Sequence, residues 1–323
     1  MDINIYDVVS RDLIHGIMHP FLTLVRDDQT LDLEFRKGGF DIFYRGEVLV
    51  QLRRGNTSDK YSAEFTSIIN FKEKQTEEII NDDAAKAWCD LYTYPLKKYW
   101  DRKLGEHNKT EREYQQLIVR ENNYSPISIS TDYFITNMED SNNDEVSQRF
   151  DLVGIKWEST SQARKGTKSD LYYPKLVVIE VKYGDKAIGS LNYDNKGKQA
   201  DLFKHLDDVN KFFSNSDVLK KYKEETLNLF KAKRNAGLIP DITENHQKID
   251  KLSDDLPEYI IAIINHDPDA SALKEIISEC NFLQYKTFAP YFAYASNLGY
   301  GLYAKRMLSP SDVLINLKKD FLC

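Results

Sequence analysis

The chain is poor in several things, and each scarcity excludes a class of protein. Three cysteines in 323 residues, Cys89, Cys280 and Cys323, are odd in number and far apart. They support neither a disulfide framework nor a zinc cluster, and they fit a reducing compartment. Only 14 glycines and 9 prolines are present, which excludes collagen-like and low-complexity chains. No apolar run approaches the roughly 20 residues that a membrane-spanning helix requires. The first twelve residues, MDINIYDVVSRD, carry acids where a secretory signal carries bases, so the reading expects a cytoplasmic protein without a membrane partner. Positive charge is also in deficit: 44 Lys and Arg stand against 51 Asp and Glu, a net of −7. That excludes a protein that coats nucleic acid through a uniformly basic surface. Aromatic residues, by contrast, are plentiful. Twenty Tyr and 16 Phe supply too much buriable surface for a disordered chain.

Periodicity divides what is there into two textures. Residues 20–66 read as a β-meander, with PFLTLVR, LDLEFRK, FDIFYRG and VLVQLRR as short strands between turn signals. Residues 76–105 read as a helix that Pro95 should kink or break. From about residue 108 the order becomes a helix (TEREYQQLIVREN), strands at PISISTDYFI, RFDLVGIKW and KLVVIEVKYGD, a helix from 198 to 213, a charged helical stretch and the strand PEYIIAIINHD. A helix around ALKEIISEC and the strand QYKTFAPYFAYAS close the chain. This predicts an α/β fold in two parts: a β-rich module with a helix at 1–107, and a mixed sheet flanked by helices at 108–323.

Glu180 is the most informative residue. It interrupts the apolar run Leu176–Val181, and an ionised carboxylate there needs a partner or a metal. Lys182 lies two positions on and so shares its face. Alone, the pair is equally well read as a structural ion pair. Asp151 lies 29 residues earlier in a second strand, with the parity of Val153, Ile155 and Trp157, and the two strands can pair as a long hairpin. Two acids and a lysine converging on one sheet face suit Mg²⁺, which takes one or two carboxylates and leaves room for water and phosphate.

Asp151 followed by Glu180-Val181-Lys182, with a helix before and a helix and strand after, resembles the PD-(D/E)XK nuclease superfamily over roughly residues 108–295. The residue before Asp151 is Phe150, where the family motif has proline. The resemblance implies a restriction-endonuclease-like core and a nuclease dependent on Mg²⁺ (or Mn²⁺), acting on DNA rather than RNA, in a setting such as prokaryotic defence or repair. It implies that Asp151 and Glu180 bind metal with the Val181 carbonyl, that Lys182 assists the attacking water, and that Glu113 and Gln199 support them. Gln199 with Phe203 also resembles the Q-x-x-x-aromatic pattern of the RecB-like branches. Two of these residues keep a second reading. Thr110-Glu111-Arg112-Glu113 is also a capping box, and Gln199 can equally stabilise its own helix start. His15 and His19, at i and i+4, lack a third ligand, and His205 can approach the cleft or be structural.

Charge is uneven along the chain. Residues 156–234 hold 17 Lys and Arg against 11 Asp and Glu, so the remainder carries −13. Arg164, Lys165 and Lys168 lie in the loop between the two acidic strands, and Lys196 and Lys198 precede Gln199. Such residues can grip a phosphate backbone without reading sequence. Lys220–Arg234, rich in both Lys and Glu, also reads as a solvated helix face. The N-terminal module carries no motif; it is expected to contact substrate, a protein partner or a second copy in a homodimer. The competing expectation is a catalytically inactive protein on the same fold, binding nucleic acid or a protein.

Overall fold

A computed structural model describes residues 5–55, 60–70, 73–106, 111–125, 127–140, 149–160, 163, 173–184, 187, 201–240, 249–265, 273–294 and 299–319. Their contacts divide the chain into two compact units. The first comprises Met1–Pro126 and Asn228–Asp241, the second Ile127–Leu227 and Ile242–Cys323. Among the described residues there are eight α-helices and two five-stranded sheets. The architecture is α/β, as expected, and no described helix is long and apolar enough to cross a membrane.

In the first unit, helices α1 (Ile5–His15) and α2 (His19–Asp27) precede an antiparallel meander. Its strands are β1 (Leu31–Arg36), β2 (Gly39–Tyr44), β3 (Glu47–Arg54), β4 (Tyr61–Thr66) and β5 (Lys74–Ile79), in that spatial order. The first expected strand, PFLTLVR, is helix α2. Pro20 stands in its first turn, where a missing N–H costs nothing, and Phe21, Leu22 and Val25 are buried at helical spacing. Conversely, β5 (KQTEEI) carries no apolar run. It is an edge strand held by its ladder to β4. Helix α3 (Asp82–Glu106) runs unbroken through Pro95. The carbonyl that loses its partner belongs to Leu91, which with Tyr94 lies on the exposed side, where water can take the bond.

Helix α4 (Glu111–Asn123) was expected to open the second domain, but it belongs to the first unit. The division by contacts thus falls after Pro126, where the sequence reading placed a boundary at 107/108. Gln116 explains why. Its Oε1 accepts from the Gly46 N–H at 2.6 Å and its Nε2 donates to the Thr30 carbonyl at 3.0 Å, tying α4 to the β2–β3 hairpin. Gly46 has φ +81°, and a Cβ there would lie 2.3 Å from the Arg112 carbonyl carbon, so the turn accepts no side chain at this position.

The second unit contains β6 (Tyr133–Asp140), β7 (Phe150–Lys156), β8 (Lys175–Tyr183), α5 (Asp201–Phe213), the start of α6 (Ser216–Asn235), β9 (Glu258–Ile264), α7 (Leu273–Glu279), β10 (Ala289–Tyr294) and α8 (Pro310–Lys319). The sheet order is β10-β9-β8-β7-β6. Pairing is antiparallel between β6, β7 and β8, and parallel between β8, β9 and β10. Strands β8 and β9 are buried along almost their whole length, as continuous apolar runs require when both faces are covered. Leu202, Leu206, Val209 and Phe213 make a buried stripe along α5. The Phe150 ring packs edge-on against Phe212 at 5.2 Å and stacks with Phe213, which fixes α5 against the start of β7.

Candidate active site in the second unit

Strands β7 and β8 present the proposed acids. The last paired residues of their ladder are Leu152 and Ile179. One step further in the same register sets Asp151 opposite Glu180, and directly opposed residues of an antiparallel pair share a face. The ladder ends there because the Asp151 side chain intervenes. Its Oδ2 accepts from the Val181 N–H at 2.8 Å. The structure thus ties Val181 to Asp151 through its amide.

Glu180 and Lys182 are buried, 5% and 8% exposed, while Asp151 is half-buried. Lys182 Nζ donates to Glu180 Oε1 at 2.7 Å. His205, on α5, places Nδ1 3.4 Å from the same oxygen and Nε2 3.4 Å from Lys182 Nζ. Glu180 Oε2 takes part in neither contact. A third strand adds Tyr259, which lies beside Val178 in the β8–β9 register. Its hydroxyl is buried and has no hydrogen-bond partner. Burial, followed by the charges of Glu180, Asp151 and Asp208, pushes this phenol well above its ordinary range. An orphaned donor facing several carboxylates is a place for ordered water or a hydrated cation.

Among the described residues no group of three or more His, Cys, Asp and Glu side chains could hold a metal. An ion such as Mg²⁺ or Mn²⁺ takes as few as one or two carboxylates, keeps several waters and completes its shell with substrate oxygens.

Glu113 belongs to the first unit. In the first unit its Oε1 accepts from Arg45 Nε at 2.9 Å, and its Oε2 is buried without a partner. It lines a cavity of about 210 Å³ with Thr30, Tyr44, Arg45, Gln116 and Arg120. Arg45 occupies the left-handed region (φ +51°) at the β2–β3 turn, and both Arg45 and Tyr44 bond Asp101. Gln199, Arg164, Lys165, Lys168, Lys196 and Lys198 lie outside the described residues.

Sequence reasoning passed over Tyr259 and left His205 undecided. The signal for His205 was present: it stands beside Leu206 at the edge of the buried stripe, on the helix that follows the Glu180 strand. Tyr259 looks like an ordinary strand aromatic, and nothing local distinguishes it. No protein-family model, curated protein or solved structure matches the chain.

Proposed function

We propose that the second unit is a metal-dependent nuclease of the PD-(D/E)XK type, hydrolysing phosphodiester bonds of DNA rather than RNA. The observation that carries this reading is the register that sets Asp151 opposite Glu180 at the end of the β7–β8 ladder, with Lys182 on Glu180. The mixed sheet, an antiparallel β6–β7–β8 run continued by parallel β9, supports a restriction-endonuclease-like core. Asp151 and Glu180 would hold Mg²⁺ or Mn²⁺, which when bound polarises the phosphodiester and lowers the pKa of the attacking water. Lys182 would donate to that water or to a phosphate oxygen and offset the negative charge that grows there. The Tyr259 hydroxyl would donate to ordered water behind the carboxylates.

A second reading has an observation in its favour. Glu180 is already ion-paired with Lys182, and a pair closed in this way also suits an inactive protein that binds nucleic acid or a protein on the same fold. Incubation of supercoiled plasmid, linear duplex and RNA with Mg²⁺ or Mn²⁺ separates the two. The nuclease reading expects metal-dependent cleavage of DNA that disappears in both Glu180→Ala and Lys182→Ala. Cleavage that survives both substitutions overturns the site, and no cleavage by the wild type under any of these conditions favours the binding protein.

A further inference from the structure

We propose that the cavity along α4, within the first unit, binds a small amino acid that carries its ammonium at one end and its carboxylate at the other. One face of α4 builds the wall: Glu113, Gln116, Leu117 and Arg120 recur at i, i+3, i+4 and i+7. Glu113 stands in the first turn of the helix and Arg120 in the last, separated by about 10 Å of helix rise. The β2–β3 turn supplies Tyr44 and Arg45. Gln116 and the Tyr44 hydroxyl are spent on bonds within the protein, to Gly46 and Thr30 and to Asp101, so they shape the cavity rather than offer it free groups.

The two ends carry opposite charge. At the Glu113 end one guanidinium serves two carboxylates: Arg45 Nε donates to Glu113 Oε1 and Nη1 to Asp101 Oδ1, both at 2.9 Å. One negative charge is left in excess there, and Glu113 Oε2 is buried without a donor. At the other end, the Arg120 side chain has no hydrogen bond or ion pair among the described residues. The neighbouring Asp28 and Lys97 offset each other at 2.6 Å. An acid in the first turn and a base in the last also favour a helix by themselves. That effect requires neither a cavity beside the two nor a buried carboxyl oxygen, which costs stability until a donor reaches it. An ammonium brings such a donor, and a carboxylate takes a guanidinium through paired bonds. A ligand with both is neutral overall, as are Glu113, Asp101, Arg45 and Arg120 taken together. The cavity of about 210 Å³ has room for about seven waters, which matches the heavy atoms of 4-aminobutanoate. Glycine, with both charges on one carbon, is too short to engage both ends.

Titration calorimetry on the full chain tests this with four probes: 4-aminobutanoate, glycine, 4-acetamidobutanoate and methyl 4-aminobutanoate. Saturable binding is expected for 4-aminobutanoate. The other three, which lack the span, the ammonium or the carboxylate, should each bind at least about tenfold more weakly. Arg120→Met breaks no bond within the protein, and Glu113→Gln keeps an acceptor for Arg45. Each should weaken 4-aminobutanoate about tenfold or more, the effect of losing one hydrogen bond to a charged group. Each should also leave the melting midpoint of the free protein within about 2 °C of wild type. If Glu113→Gln fails to fold, Arg120→Met and the acetylated probe decide. No binding of 4-aminobutanoate, binding indifferent to either substitution, or equal binding of any of the other three probes overturns the proposal. The readout involves no cleavage, metal or nucleic acid, so it stands or falls separately from the nuclease reading.

Discussion

Among the described residues two glutamate–lysine pairs are buried on both sides with almost the same separation, and the difference between their surroundings separates structure from chemistry. In the first unit Glu34 and Lys233 meet at 2.6 Å, and both side chains are completely inaccessible. Around them lies a polar network on β1–β3, in which Tyr124 donates to Asp32, whose other oxygen is buried without a partner, while Arg36 and Arg53 bind Asp41. In the second unit Glu180 and Lys182 meet at 2.7 Å, but a second carboxylate stands in register, a histidine touches both, and an unsatisfied hydroxyl faces them. A buried ion pair by itself is therefore a poor indicator of function. What sets the second pair apart is an orphaned donor and access from solvent, since a second acid, Asp32, also stands beside Glu34.

The comparison can be broken in several places. The largest expected effect is on the sealed pair. Lys233→Met leaves Glu34 buried without a partner and should lower stability by about 3–5 kcal/mol, whereas Glu34→Leu combined with Lys233→Met should recover most of that loss. Denaturant titration of the two variants checks this. A single substitution costing no more than the double would mean that the pair is not coupled. Next, Glu180→Gln and Lys182→Ala should each reduce DNA cleavage by about 10²–10³-fold while changing stability by less than about 1 kcal/mol, as suits groups held for chemistry. A loss of stability as large as that of Lys233→Met would erase the distinction between the pairs.

The third prediction concerns pH. Burial pushes Glu34 up to about 8 from an ordinary 4.5, although the Lys233 ammonium pulls it down. A carboxyl raised in the folded state binds its proton more tightly there than in the unfolded chain. Its contribution is complete below pH 4.5 and is lost as pH rises through about 8. Thermal melts of the wild type should therefore fall over that window relative to Glu34→Gln, which should be flatter. The smallest effect belongs to an exposed pair, Lys175 with Asp255 at 2.9 Å. Its removal by Lys175→Ala should cost no more than about 0.5 kcal/mol and should vanish in high salt.

How much of this was legible beforehand follows from the range of the interactions. The strands of the second unit announce themselves, because RFDLVGIKW and KLVVIEVKYGD must bury what they carry. Asp151, Glu180 and Lys182 are conspicuous for being polar in apolar runs. LDLEFRK misleads in the opposite way. It is a strand, as expected, but with acids at alternate positions all six residues of β1 are nonetheless buried, because Tyr124 and Lys233 cover Asp32 and Glu34. Those partners lie 92 and 199 residues away, beyond any local pattern. Helix α4, which carries Glu113, was grouped with the second domain for a related reason. A helix start with an acid in its first turn looks alike in either unit, and only the bonds of Gln116 to the β2–β3 hairpin decide where α4 belongs. Helix α2 was missed because a short apolar run with a proline at its head has no decisive period.

The most direct measurement of the central claim is Mn²⁺ binding, followed by titration calorimetry or by the loss of free-ion paramagnetic signal. The account predicts binding by the wild type that is lost in Asp151→Asn and in Glu180→Gln alike, and retained in Glu34→Gln and Glu113→Gln. Mn²⁺ binding indifferent to both Asp151 and Glu180, or no binding by the wild type, would contradict it.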